Sequence, residues 1–357
     1  MFPIHIFHVS FKLGGGMERY ARDLSNAFAR MGHPVTVHAQ HVDRSIPTHP
    51  NLSVLQIPVL PRTKKLRSFP YYRAIERIRP GLDGLKISFS CAKSEDLVVC
   101  GGTHKGYLTQ ARKPWLPLNL LQIWMENRIY RFAGGIISHS RLCRDDLIRL
   151  YQEDPGKITV LHPPIGPEFS VGTSSNRREL LRRMGVPDDK IVFVFPSTGH
   201  RRKGLGPISD AMRSVEDKAV LVVAGKPRAY GRTSRSVIYA GYVADMPSLY
   251  RAADYTILGS SYEPFGMVGP ESILCGTPLV FDKRIGCLEV VPSNAAIKFS
   301  VNSQDSIRAA LSEAVGARNR HQLPPGPPHW ESDYDPSIDN HARRVLEAGR
   351  RAQRAKR

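Results

Sequence analysis

No run of eighteen apolar residues occurs in the 357-residue chain, so no membrane-spanning helix is expected. The opening segment MFPIHIFHVSFKLGGG has no basic region leading into an apolar core and a small-residue cleavage site. A signal peptide is therefore not expected, and the reading is of a cytoplasmic protein. The five cysteines, Cys91, Cys100, Cys143, Cys275 and Cys287, are odd in number and never spaced C-x-x-C. That excludes a disulfide framework and a four-thiolate zinc site, leaving them to serve as small buried hydrophobes. Neither H-x-x-x-H nor H-E-x-x-H occurs, and no metal site is expected. A G-x-S-x-G elbow and a G-x-x-x-x-G-K-[ST] loop are missing too, which argues against serine hydrolase and P-loop chemistry.

What the chain has in excess is positive charge: 51 Lys+Arg against 32 Asp+Glu leave a formal net charge of +19. Such an imbalance favours an anionic partner, whether nucleic acid, phospholipid headgroup or phosphorylated substrate, although an Arg-rich composition also follows from a genome rich in G and C. With 41% apolar residues there is material for two packed cores.

Short β-branched runs alternate with segments of helical period, the pattern of βαβ units and parallel sheets. In the first half the expected strands are 4–9, 35–39, 97–100, 136–138 and 158–161, with a helix over 17–31. In the second they are 191–195, 220–224, 237–240, 255–258, 279–281 and 297–299, after a helix over 176–186. The Pro- and Gly-rich stretch HPPIGPEFSVGTSSN reads as a linker. The organisation predicted is an α/β protein with two doubly wound Rossmann-like domains facing a cleft, 1–165 and 166–335. A basic segment, 336–357, either returns to the first domain as a helix or frays as a tail.

In such sheets ligands bind beyond the carboxyl ends of the strands. Four loops there carry candidate chemistry. Gly14-Gly15-Gly16 enters the first helix, where free N–H groups and close backbone approach suit a phosphate. Gly101-Gly102-Thr103-His104-Lys105-Gly106 places a histidine at a strand end. Ser197-Thr198-Gly199-His200-Arg201-Arg202-Lys203-Gly204 offers Arg and Lys to a diphosphate. The sequence YEPFGMVGPESILCGTPLVF sets Glu263 and Glu271 eight positions apart at a strand-to-helix turn, where carboxylates can accept hydrogen bonds from sugar hydroxyls. Each loop also has a plainer reading: a flexible turn, a structural histidine, a solvated basic loop, and an acid opposing a helix dipole.

Taken in order, GGGMERYARDLSNAFARMGHPVTV, VLHPPIGPEF, GHRRKG and YEPFGMVGPESILCGTPLV resemble the retaining family 4 glycosyltransferases over roughly residues 4–300. The resemblance implies the GT-B fold, a nucleotide sugar as co-substrate, and no cofactor or divalent metal. It assigns Glu271 to the ribose hydroxyls and Glu263 to the transferred sugar. Backbone N–H groups of Phe265, Gly266, Met267 and Val268 are assigned to sugar and phosphates, Arg202 and Lys203 to the leaving diphosphate, and Gly15 and Gly16 to the diphosphate from the other domain. His104 receives a donor-contact role, though its surroundings depart from the commoner H-x-H-G and T-x-H forms. The nearest subgroup in appearance acts on bacterial lipopolysaccharide core, implying a UDP-sugar, UDP-glucose in particular, and an anionic glycan or glycolipid acceptor.

The stretch KKLRSFPYYRAIERIR, 64–79, interleaves basic and aromatic residues and suggests peripheral contact with the inner face of a membrane; the alternative is a helix face with its aromatics in the core. A competing class, a basic nucleic-acid- or membrane-binding protein on a glycosyltransferase-like scaffold without turnover, shares the +19 charge. No nucleic-acid reading module accompanies that charge, so no nucleic-acid partner is expected.

Overall fold

The computed structural model describes residues 1–59, 68–172, 177–227, 235–317 and 328–355. The chain forms two compact units, Met1–Pro164 with Asp335–Arg357, and Ile165–Tyr334.

The first unit begins β1 (Ile4–Phe7), β2 (Ser10–Phe11), α1 (Gly16–Arg30), β3 (Val35–Ala39), β4 (His41–Val42), β5 (Leu52–Gln56) and α2 (Ser68–Ile78). It continues β6 (Leu85–Ser88), β7 (Leu97–Cys100), α3 (His104–Gln110), α4 (Pro117–Phe132), β8 (Gly135–Ser138), α5 (Arg141–Tyr151) and β9 (Ile158–Val160). Seven strands pair in parallel in the order β5-β3-β1-β6-β7-β8-β9. The central strands are almost wholly apolar because helices cover both faces. Strand β6 is an exception: Lys86 is buried, and its ammonium reaches Glu95 at 3.0 Å while its backbone N–H donates to Asp96 at 2.9 Å.

The second unit runs α6 (Arg177–Arg183), β10 (Ile191–Ser197), α7 (Leu205–Met212), β11 (Ala219–Gly225), β12 (Val237–Gly241), α8 (Met246–Ala252), β13 (Tyr255–Leu258), α9 (Val268–Leu274), β14 (Leu279–Asp282), β15 (Ala296–Phe299) and α10 (Gln304–Gly316). Its parallel strands lie in the order β12-β11-β10-β13-β14-β15. The chain winds outward from β10 to β12 and then restarts on the other flank of β10 with β13. That reversal is the topological switch point, the place where a doubly wound sheet opens a crevice.

The Arg-rich C-terminal segment is a helix, α11 (Ile338–Arg354), belonging to the first unit. Ala342, Val345, Leu346, Ala348 and Ala352 enter that unit's core, and Gly349 packs so tightly that a Cβ there would lie 2.7 Å from a Leu85 methyl. Ser337 caps it by accepting from the Asn340 N–H. Most of its arginines lie on the opposite, exposed side, as expected for an amphipathic helix anchored by one apolar stripe.

One expectation is overturned. Of the 64–79 stretch, Lys64, Lys65 and Arg67 lie outside the described residues. The aromatics of α2 do not face solvent: Tyr71 and Tyr72 are buried, Phe69 packs beside the core, and the Tyr71 hydroxyl donates to the His38 carbonyl at 2.6 Å. Arg79 is taken up by Glu76 and Glu95. A tyrosine that can satisfy its hydroxyl internally gains more by burying its ring than by staying in water.

Candidate active site

The loops that leave β10 and β13, 198–204 and 259–267, emerge side by side at the switch point of the second unit. Two backbone hydrogen bonds join them: Gly259 N–H to the Lys203 carbonyl and Ser261 N–H to the Arg202 carbonyl, both 3.1 Å. The approach requires glycine at 204, with φ +80°, because a Cβ would stand 2.2 Å from the Gly259 carbonyl oxygen. His200 pins the first loop, with Nδ1 3.0 Å from Ser197 Oγ and Nε2 3.2 Å from the Lys226 carbonyl.

This stitching brings the charged groups together. Arg202 Nη1 donates to Glu263 Oε2 at 2.8 Å, and Ser260 Oγ donates to the same oxygen at 3.0 Å. Lys203 Nζ donates to the Pro196 carbonyl at 3.1 Å. Burial pushes the Lys203 ammonium below the usual lysine value; Glu263 and, more weakly, Glu271 favour its charge, and Arg202 opposes it. Burial alone would raise the Glu263 carboxyl, but the charges of Lys203 and Arg202 outweigh it and hold that group below the usual glutamate value. Glu263 is therefore a committed carboxylate.

Glu271 lies in the first turn of α9 and is buried, its Oε2 accepting from the Tyr250 hydroxyl at 3.2 Å. The start of α9 is tied to its surroundings through a polar chain. Thr256 Oγ1 meets Ser272 Oγ at 2.7 Å, Ser272 Oγ donates to the Thr277 carbonyl, and Thr277 Oγ1 donates to the Tyr250 carbonyl. The turn before α9 is equally constrained. The Phe265 carbonyl accepts from Cys287 N–H at 2.6 Å, Gly266 has φ +86°, and a Cβ on Gly286 would fall 1.7 Å from the Pro264 carbonyl oxygen. Arg202, Lys203, Glu263, Glu271 and the backbone of Phe265–Val268 thus belong to one cluster, although the Phe265 ring itself is in the core against Tyr334.

Gly15, Gly16 and His104 belong to the first unit. The glycine turn has Gly14 at φ +122° and Gly15 at φ +39°, and the Glu18 carboxylate folds over it, so that a Cβ on Gly15 would lie 1.9 Å from Glu18 Oε2. His104 opens α3. Its Nε2 is 3.1 Å from Asn119 Oδ1, and its backbone N–H donates to Glu126 Oε2 at 2.9 Å. Glu126, whose carboxyl is pushed up by burial, also accepts from the Tyr151 hydroxyl.

Two family models match the chain in succession, "Glycosyltransferase Family 4" over residues 14–169 and "Glycosyl transferases group 1" over residues 176–322. A relative from Burkholderia thailandensis, named "Probable transglycosylase", is 37% identical over 348 residues, covering 94% of this chain and 93% of that one. The chain belongs to glycosyltransferase family 4. Among solved structures, WaaG, a glycosyltransferase involved in lipopolysaccharide biosynthesis, superposes with a TM-score of 0.78 at 17% identity, over 99% of this chain and 98% of that one. HepE of Anabaena, solved in complex with UDP-glucose, superposes with a TM-score of 0.67 at 16% identity, over 98% of this chain and 100% of that one. These likenesses establish the GT-B fold with its two Rossmann-like units.

In this glycosyltransferase several residues beside the candidate groups carry no local sequence signal. Tyr250 reaches Glu271 from a helix 21 positions earlier, and Ser260, three residues before Glu263, shares its carboxylate oxygen. Asn119 and Glu126, which hold His104, come from the next helix. One D-x-D spacing is present in the sequence, Asp333-Tyr334-Asp335. Asp335 accepts from the Ser337 N–H and from Asn340 Nδ2, while the Tyr334 ring packs against Trp330 and Phe265.

Proposed function

We propose that this glycosyltransferase moves a hexose from a UDP-sugar, UDP-glucose in particular, to a cell-envelope glycan or glycolipid such as lipopolysaccharide core, retaining the anomeric configuration. The observation that carries the reading is the cluster at the switch point of the second unit. There two cations, Arg202 and Lys203, lie beside two carboxylates, Glu263 and Glu271, within one pair of interlocked loops.

The two kinds of charge suit the two ends of a nucleotide sugar. As the bond from the anomeric carbon to the diphosphate oxygen lengthens, negative charge collects on the leaving group, and preoriented cations in a desolvated site stabilise it more than water would. Lys203, largely removed from solvent, gains the most from that charge. Glu263 and Glu271 accept hydrogen bonds from sugar and ribose hydroxyls respectively; Tyr250 holds one oxygen of Glu271 and fixes the carboxylate plane. His104 belongs to the donor-contacting groups in this reading.

The preference for UDP-glucose draws support from HepE, solved with that compound, and the acceptor class from WaaG, named for lipopolysaccharide biosynthesis. Retention draws support from the ordered motifs shared with retaining enzymes. The direct experiment is incubation with UDP-glucose and a deacylated lipopolysaccharide core, reading released UDP and the anomeric coupling of the product by NMR. An α-linked product is expected. A β-linked product would overturn retention, and failure of every nucleoside diphosphate to raise Tm would overturn the donor site and favour a binding protein without turnover.

A further inference from the structure

The polar groups around His104 fix more than its place at the start of α3. Thr103 Oγ1 accepts from the Gly106 N–H at 3.1 Å, Glu126 Oε2 accepts from the His104 N–H at 2.9 Å, and the Tyr151 hydroxyl accepts from the Lys105 N–H at 3.1 Å. Side chains of α4 and α5 thereby hold the backbone of this turn, and only the two side-chain torsions of His104 remain to choose where the imidazole points. Asn119 makes that choice. It lies in the first turn of α4, which Pro117 opens, and its own N–H donates to the Leu116 carbonyl at 2.8 Å.

The Asn119 amide has two ends, and its neighbours tell them apart. Nδ2 lies 2.8 Å from the Pro114 carbonyl oxygen, which can only accept, so turning the amide round would set two oxygens against each other. Oδ1 is then the atom 3.1 Å from His104 Nε2, and it too can only accept. The proton of the neutral His104 imidazole is consequently on Nε2, and Nδ1 carries a bare lone pair. Nδ1 has no protein partner among the described residues, and the residue is only half-buried, so that lone pair is open to a ligand. It can accept from an O–H, and it turns away a group that has lone pairs only.

We propose that Asn119 is a positioning residue that holds His104 protonated at Nε2, so that Nδ1 accepts a hydrogen bond from one hydroxyl of the transferred sugar and the enzyme selects donors that carry a hydroxyl there. This role rests on the reading of His104 as a donor contact. It adds the direction of the hydrogen bond, the residue that sets it and the class of sugar it admits. The nucleotide is left to Glu271, Lys203 and Arg202, so UDP binding does not depend on Asn119.

Two measurements test it on the full chain. The first is an NMR spectrum at mildly alkaline pH of protein isotopically labelled in its histidine ring nitrogens, with the His104 signals identified by their loss in His104→Ala. A protonated Nε2 and a bare Nδ1 are expected, and a proton on Nδ1 would overturn the proposal whatever the donor is. The second is kcat/KM for UDP-glucose and for its derivatives in which one hydroxyl at a time is replaced by fluorine, which cannot donate. Wild type should disfavour one derivative about tenfold more than His104→Ala does, the inductive effect of fluorine being common to both proteins and cancelling in the comparison. Asn119→Leu, similar in size, should lose most of that discrimination and about three- to tenfold in kcat/KM for UDP-glucose, while its Tm and UDP-induced Tm shift stay as in wild type. If His104→Ala discriminates like wild type, His104 does not meet the sugar and the reading beneath the proposal fails. If His104→Ala loses the discrimination and Asn119→Leu keeps it, His104 meets the sugar and the role of Asn119 alone is overturned. Should Asn119→Leu not fold, the wild-type ring spectrum still decides.

Discussion

Replacing Glu263 by Gln should separate nucleotide binding from turnover, lowering the second without weakening the first. The Arg202 guanidinium is held 2.8 Å from Glu263 Oε2, so the cation proposed for the diphosphate is partly neutralised by the carboxylate proposed for the sugar. The Arg202 side chain is 40% exposed, which discounts the ion pair to about 0–1 kcal/mol. Removing the negative charge should therefore leave UDP affinity unchanged or raise it by at most about fivefold. Turnover responds to a different contact. An amide accepts less strongly than a carboxylate, and losing a charge-assisted hydrogen bond to a sugar hydroxyl costs about 1.5–3 kcal/mol, or roughly one to two powers of ten in kcat/KM. The glutamine is isosteric, and the Ser260 hydroxyl retains an acceptor at the same position. Calorimetric titration with UDP and a coupled assay for UDP release measure the two quantities on one preparation. If E263Q loses UDP binding in step with turnover, Glu263 serves the nucleotide or the fold of the loop; if turnover is untouched, it does not meet the sugar.

Other expectations follow from the same geometry. Glu271→Ala and Lys203→Ala should each abolish the UDP-induced Tm shift, whereas Tyr250→Phe, which removes the hydroxyl that donates to Glu271, should weaken UDP binding about fivefold, near 1 kcal/mol; equal UDP binding by wild type and all three would refute the assignments. Activity should persist in EDTA because Arg202 and Lys203 supply the positive charge at the leaving group, and complete loss restored by Mg²⁺ would contradict this. Stability should fall with acidity below about pH 6.5. Burial, helped by the His162 charge, holds the His139 imidazole down at about 3, and burial also lowers His341, which is hydrogen-bonded to Tyr20. Unfolding exposes these imidazoles to protonation near 6.5, so the unfolded chain binds more protons and His139 alone costs about 2 kcal/mol between pH 7 and pH 5. Urea titrations at the two pH values should show that loss, reduced in His139→Gln; an unchanged pH dependence would refute it.

Much of this architecture is local information and therefore legible in the residues. Apolar runs such as Ile191–Phe195 and Tyr255–Leu258 become strands because a sheet covered on both faces accepts little else there. The spacing of Glu263 and Glu271 across a strand-to-helix turn was visible for the same reason. Strand β6 was not, since Lys86 interrupts LKIS and its charge is met by Glu95, outside the strand. Tertiary structure alone decided the adjacency of β10 and β13, which hydrogen-bond although residues such as Phe193 and Tyr255 are far apart in the chain, and with it the pairing of Arg202 with Glu263. It also decided which aromatics face water. KKLRSFPYYRAIERIR and PLNLLQIWMENRIYRF both mix rings with cations, yet Tyr71 of the first buries with its hydroxyl on the His38 carbonyl and Tyr72 packs beside Val98 and Tyr130, while Trp124 of the second stays outside. Composition records how much apolar surface a segment carries; which part of it is covered depends on the neighbours that folding brings to it.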